Sequence, residues 1–491
     1  PEDACKTLAY KTYQLKEGEQ LGEPVRYKEE GFVRLAGHTP VKLADLKEPV
    51  SANADLQTLA LDQVRYKKEL PLIIVTANSD KGECLDLTSK IKPDGTLDWT
   101  APQGDWNDAL DMAWENGESV AFTSAYAGNL KEIAHCIRLL EQETGCKRFE
   151  IAEEMGMLFA GGRELYENVE KKRGILDAYL EKCAHNLSGQ TMIVKAEQIC
   201  SNLEEKADWL MEHIRMQEWI AEDEARGWFN GYYDDHKNPV EGCKDGKVRM
   251  MLTSQVFAIM SGTATPDQIR KICRSADKYL YDEKAGGYRL NTDFGEEKMD
   301  LGRMFGFAYG EKENGAVFSH MAVMFANALY KRGFVKEGHR ALDALYRQSV
   351  HFETSRIYPG IPEYFNSRGK GMYHYLTGAA SWYMLTVITE MFGAKGCAGN
   401  LMLEPKLERQ QFDLDGRAEL FFSFAGQSLH LVYENKEHKE YGAYRPGTIR
   451  IDGELWDYSG GEKETRSVCI DRERLKQLDF DVMHEILVEL V

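Results

Sequence analysis

The sequence predicts a mainly α protein, an (α/α) barrel followed by a C-terminal β-sandwich, and two features of its texture predict it. From Glu118 to Phe392 one amphipathic helical period follows another, joined by long loops full of Gly, Trp, Tyr and acidic residues, as at 227–235, 300–317 and 358–375. After Gly399 the pattern becomes alternating and aromatic-rich, at 418–424, 428–433 and 447–451, with Asp452-Gly453 closing a hairpin. Loops of that length do not suit a four-helix bundle with minimal turns. The lack of a fixed-period repeat argues against an α-solenoid. The expected divisions are a segment of mixed short strands and helix over 1–100, the barrel over 101–395 and the sandwich over 396–491.

A chain of 491 residues exceeds one ordinary domain, and 43 % hydrophobic residues give it enough apolar side chains for a sizeable core. A net charge of −19 argues against nucleic acid and against an anionic membrane surface, both of which select basic faces. No apolar run approaches the roughly 18 residues needed to span a bilayer. The start lacks the basic-then-apolar pattern of a secretory leader. Ten cysteines are scattered without a CxxC pair or metal-ligand spacing, so reduced thiols, no metal site and a cytoplasmic location are expected.

Taken in order, residues 1–100 show short β-like runs at 31–35 and 71–75 and one helical candidate at 55–68. The Asp94-Gly95 pair then marks a tight turn leading to an acidic octapeptide at 104–111. Helix begins near Glu118, where Val120, Tyr126, Leu130, Ile133, Ile137 and Leu140 recur at three- and four-residue spacing until Gly145 stops the run. Further helical periods lie at 149–158, 164–183, 192–220, 253–260, 266–279, 318–332, 335–347 and 379–392.

The octapeptide Gly104-Asp105-Trp106-Asn107-Asp108-Ala109-Leu110-Asp111 holds carboxyls, an indole and an amide within a few residues. Glycoside chemistry needs those groups: an acid to protonate the departing oxygen, an aromatic face for the pyranose, and an amide to fix hydroxyls. The alternative is a helix N-cap cluster, since Asp and Asn accept from the free N–H groups of a first turn. The stretch 376–382 opens a helix with Thr377 as its cap and small residues in its first turn, a shape that seats an anion or simply packs closely. His320 lies at another helix start, a position usual for a structural His.

In order, Gly104–Asp108, Glu313-Asn-Gly-Ala-Val-Phe-Ser-His320, Pro362-Glu-Tyr-Phe365 and the 375–382 tract resemble the inverting phosphorylases of glycoside hydrolase family 94, over roughly residues 100–410. The wording at 115–123 and 362–382 looks most like the β-1,2-oligoglucan phosphorylases. The resemblance implies an (α/α)6 barrel with a C-terminal β-sandwich and reversible phosphorolysis of an oligosaccharide to α-D-glucose 1-phosphate. It implies Asp108 as general acid, Trp106 lining the sugar subsite, and His320, Thr377 and Gly378 holding phosphate. Lys312, Glu313 and Glu363 would lie near the sugar, and Asp105 beside it, where its charge would help keep Asp108 protonated. Inorganic phosphate is a co-substrate, and no cofactor or metal is implied.

An inverting hydrolase needs a second carboxylate to activate water, whereas a phosphorylase needs one acid and a seat for its attacking anion. The competing expectations are therefore that hydrolase and a non-catalytic carbohydrate-binding remnant. Residues 1–100 do not resemble the family's N-terminal part, and the helical signal begins only after about residue 115. A second chain, a preceding region or a homo-oligomer is expected to cover the apolar face left open. That partner would add an Arg to the phosphate site.

Overall fold

The computed structural model describes residues 106–491 except 114–115, 184–186, 245, 297, 299, 358–359, 375–377 and 457–465, together with short strands between Lys11 and Leu85. The chain divides into two units, 1–101 and 102–491. In the first, Lys11–Gln14 pairs antiparallel with Glu48–Pro49 and with Leu72–Ile74. The helix expected at 55–68 and the turn at 94–95 lie outside the described residues.

The second unit is built on helices α1 (Val120–Thr144), α2 (Val169–Cys183), α3 (Ala196–Gln217), α4 (Leu252–Met260), α5 (Pro266–Tyr279), α6 (Ser319–Lys331), α7 (Val335–Val350) and α8 (Gly378–Leu385). Helix α1 packs on α4, α4 on α6 and α6 on α8, while α3, α5 and α7 pack against α1, α4 and α6 respectively. Burial follows that arrangement. Helix α4 is buried on every side from Leu252 to Ile259, as is most of α6, the pattern of a helix enclosed by others. Helix α5 buries one stripe, Ile269, Ile272, Cys273 and Ala276, and points its charges outward. Its start is fixed by a capping box between Thr265 and Gln268 with Pro266 in the first turn. Helix α1 turns its small residues Ala121, Ser124, Ala127 and Ala134 inward, and leaves Tyr126, Ile133 and Leu140 exposed. Met384 and Leu385 are likewise exposed at the end of α8.

The helical period at 149–158 is overturned: Arg148–Ala152 is a strand paired with Thr191–Lys195, and Glu153–Phe159 a 3-10 turn. The ladder claims those residues from a partner about forty positions away, which local periodicity does not register. The same strand delays α3 to Ala196.

Strands Arg417–Phe424, Gln427–Glu434, Met483–Leu490, Pro446–Ile451 and Glu454–Trp456 form a five-stranded sheet in that spatial order, with the second and third parallel. Ala394–Cys397, Asn400–Leu403 and Val468–Ile470 form a three-stranded one. Leu429, Leu431, Ile486 and Val488 on the first sheet and Leu401 and Leu403 on the second join the same apolar core as α4 and α6. The joint with the helices is polar and buried. Helix α8 continues into one π-helical turn, Thr386–Met391, whose Glu390 bonds Lys406 Nζ at 3.0 Å. The result is a mixed fold of packed helices and small sheets. No described helix is long and apolar enough to cross a membrane.

Candidate active site

Residues 106–111 of the acidic octapeptide do not cap a helix. Helix α1 is capped by Ser119, whose side chain accepts from Phe122 N at 3.0 Å. Asn107 instead folds its own loop, accepting from Ala109 N at 3.2 Å through Oδ1 and from Leu110 N at 2.9 Å through its carbonyl, the Asx type of turn. Trp106 and Asp108 are thereby presented from a tight loop. Asp105 lies outside the described residues.

Opposite that loop, a three-stranded sheet of Val317–Phe318, Tyr364–Phe365 and Gly371–Met372 sets Phe318 directly across from Tyr364. The rings make one wall: Trp106 to Phe318 at 5.3 Å between centroids, Phe318 stacked on Tyr364 at 4.5 Å, Tyr364 to Tyr373 at 5.9 Å. Such a wall offers the apolar faces on which a pyranose rests. Lys312 Nζ stands 4.8 Å from the Phe307 ring and 5.4 Å from that of Tyr373. Lys312 (φ 47°) and Tyr373 (φ 61°) both hold left-handed backbone without being glycine, as do six other described residues outside this wall.

Glu313 is only 5 % exposed. Its Oε1 accepts from Tyr364 Oη at 3.2 Å, and its Oε2 is buried with no partner among the described residues. An unmatched buried carboxylate oxygen is costly unless a ligand hydroxyl meets it. Burial first, then the charges of Glu313 and Glu363, pushes the Tyr364 phenol far up, so it remains a donor. Asp108 is among the charges it feels, which places the acid loop and the wall in one field. The turn carrying Glu313 is pinned by its neighbours: Asn314 Nδ2 donates to Phe307 O at 2.8 Å and Gly315 N to Asn291 Oδ1 at 2.8 Å. Glu363 accepts Ser319 N through its carbonyl at 2.9 Å, tying that strand to the start of α6.

His320 follows Ser319 at the start of α6 and sits between indoles, 5.2 Å from Trp106 and 5.9 Å from Trp382. Gly378, the first residue of α8, lies against it: a Cβ there would be 2.5 Å from His320 Cε1 and 3.0 Å from Nε2. The structure thus brings together His320 and Gly378, two of the residues expected to hold phosphate. Thr377 lies outside the described residues. Burial pulls the His320 imidazole below its ordinary value, and its Nε2 is buried without a partner among the described residues. A neutral ring with an unmatched nitrogen beside a helix start that only glycine fits is suited to an anion that brings its own charge and protons.

The acid position is less enclosed than expected. Asp108 has a side chain 78 % exposed, and its Oδ2 lies 3.1 Å from Arg303 Nη2. The burial expected around it is absent: the side chain is largely exposed and its near neighbour is a guanidinium. Arg303 is the residue that sequence reasoning missed. Among the described residues no group of His, Cys, Asp and Glu is arranged to hold a metal.

Comparison with known proteins bears on the second half of this site. Residues 191–393 match the family model described as the glycosyl hydrolase 94 superfamily, catalytic domain. Cellobionic acid phosphorylase from Neurospora crassa is 30 % identical over 212 residues, covering 40 % of this chain and 25 % of that protein. 3-O-beta-D-glucopyranosyl-beta-D-glucuronide phosphorylase from Paenibacillus borealis is 23 % identical over 243 residues, 47 % of this chain and 30 % of that one. Solabiose phosphorylase from the same organism is 24 % identical over 270 residues, 53 % and 33 % respectively. The chain thus spans between a quarter and a third of the length of these curated relatives. Residues 191–393, which hold Arg303, Glu313, His320, Glu363 and Gly378, are therefore similar to a glycosyl hydrolase 94 catalytic domain, and the relatives named are phosphorylases.

Proposed function

We propose that the protein is an enzyme that cleaves β-linked gluco-oligosaccharides, β-1,2-glucans foremost, by inverting phosphorolysis, giving α-D-glucose 1-phosphate and a shortened chain. The observation that carries this reading is the Nε2 of His320, buried without a partner among the described residues and set against Gly378 and Trp106. Phosphate seated there attacks the anomeric carbon while Asp108 delivers its proton to the glycosidic oxygen from the opposite face, so the C–O bond breaks as the C–OP bond forms. Sugar filling the site would cover the exposed side chain of Asp108. Trp106 carries the ring, and Lys312, Glu313 and Glu363 take its hydroxyls, with Asp105 and Thr377 completing the sugar and phosphate contacts. Phosphate is a co-substrate, and the reaction needs no metal or cofactor.

The succession α1–α4–α6–α8 with α3, α5 and α7 behind it supports an (α/α)6 barrel over 101–395 with a β-sandwich after it. The exposed stripe Tyr126, Ile133 and Leu140 on α1 is then where a further polypeptide or a second copy would complete the wall. A cytoplasmic setting fits the unpaired thiols among the described residues.

The test is incubation of the 491-residue chain with β-1,2-gluco-oligosaccharides, with and without phosphate. Glucose 1-phosphate formed only with phosphate supports the proposal. Free glucose formed equally without phosphate makes the protein a hydrolase, and sugar binding without turnover makes it a binding remnant.

A further inference from the structure

Arg303 stands in none of the sequence motifs, yet the acid loop is built on the segment that carries it. Backbone bonds run from Met112 N to Leu301 O at 3.1 Å and from Met304 N to Ala109 O at 3.2 Å. A Cβ on Gly302 would lie 1.9 Å from Ala109 O, so only glycine lets the two strands of chain approach this closely. On that seam Arg303 makes a fork. Its backbone N donates to Asp111 Oδ1 at 3.1 Å, Nη1 to Asp111 Oδ2 at 2.8 Å, and Nη2 reaches Asp108 Oδ2 at 3.1 Å. Its Nε is buried without a partner among the described residues. The guanidinium is thus placed by its outer nitrogens alone, at the expense of the inner one.

We infer that Arg303 is a positioning residue for the general acid: anchored on Asp111, it holds Oδ2 of Asp108 and turns Oδ1 toward the departing glycosidic oxygen. The inference rests on the reading of Asp108 as that acid. An exposed carboxyl carried on a turn has several rotamers open to it, and misplacement by about 1 Å costs on the order of 10²-fold in rate. The rigid planar fork of Arg holds two carboxylates in one fixed geometry, which the flexible point charge of Lys does not. The arrangement also separates Arg303 from the phosphate role, because its fork is spent on the acid side of the site.

The experiment compares wild type with Arg303→Lys, Arg303→Met and Asp111→Asn for kcat and for the KM of phosphate. In parallel, carbodiimide labelling of Asp108 in the resting proteins is read by peptide mass spectrometry. Arg303→Lys is expected to lose kcat by about 10- to 100-fold with the phosphate KM unchanged, Arg303→Met more, and Asp111→Asn less than either. Labelling of Asp108 should rise several-fold in both Arg303 variants. A raised phosphate KM with kcat kept would make Arg303 a phosphate ligand and overturn the inference, as would an unchanged kcat. If wild type itself forms no glucose 1-phosphate, the proposed function fails, and labelling alone decides Arg303: unchanged modification of Asp108 sinks it. Arg303→Lys keeps the charge, so a fold lost only in Arg303→Met leaves the test intact.

Discussion

Replacing Gly378 with Ala would set a methyl carbon 2.5 Å from Cε1, 2.7 Å from Nδ1 and 3.0 Å from Nε2 of His320. Non-bonded carbons settle at about 3.5–4.0 Å, so the ring must retreat by roughly 1 Å. Trp106 and Trp382 stand on its flanks at 5.2 and 5.9 Å, and little room remains for that retreat. Overpacking of this kind costs about 1–3 kcal/mol. Gly378 is the first residue of its helix, where the interior preference for Ala over Gly counts for little, so the net loss of stability is about 1–3 kcal/mol. The effect on phosphate is separate. A hydrogen bond from His320 to a charged oxygen contributes about 1.5–3 kcal/mol, and losing it raises the phosphate KM at least about tenfold. Urea unfolding and phosphate titration of the same preparation check both numbers. A Gly378→Ala protein more stable than wild type, with its phosphate KM unchanged, would refute the close packing of His320 on this helix start.

Asp108→Asn should abolish phosphorolysis and its reversal by at least about 10²-fold while leaving the melting curve in place. Near-full activity in that variant would remove Asp108 from the chemistry. Burial lowers the His320 imidazole in the fold, so the unfolded chain takes up the proton first as pH falls below about 6.5. The stability held by neutral His320 is whole above that pH and drains away on acidification. Comparing wild type with His320→Gln by urea unfolding at pH 7.5 and 5.5 should show the larger acid loss in wild type, and equal losses would count against a buried neutral ring. Lys406→Met strands Glu390 in a site where both side chains are nearly fully buried and the next cation, Lys395, is 3.9 Å away. A cost of about 3 kcal/mol is expected, with most of it recovered when Glu390→Gln is added. Two variants of equal stability would contradict that coupling.

The elements most legible in the sequence were those whose signals are local. Thr265, Pro266 and Gln268 mark the start of α5 to the residue, and the alternation at 418–424 and 428–433 matches strands Arg417–Phe424 and Gln427–Glu434 within one position. What escaped depends on distant partners: strand Arg148–Ala152 exists because Thr191–Lys195 pairs with it. The site divides in the same way. Asp108, Glu313 and His320 stand in motifs that can be read along the chain, whereas Arg303 acquires meaning only when the fold lays it on an aspartate 192 positions earlier.

Helix α8 begins against His320 and runs, through its π turn, into Glu390, which Lys406 and Lys395 share with Glu404. The sheets beyond residue 393 are therefore not a detachable appendage. A shortened gene ending there would encode a helix whose far end has lost both counter-ions of Glu390 and the chain that buries it. Swapping this region between related proteins would work only if Glu390, Lys395, Glu404 and Lys406 travel as a set. The natural cut for a chimera lies before Gly378, where the helix packed on His320 and the sheets that brace it move together.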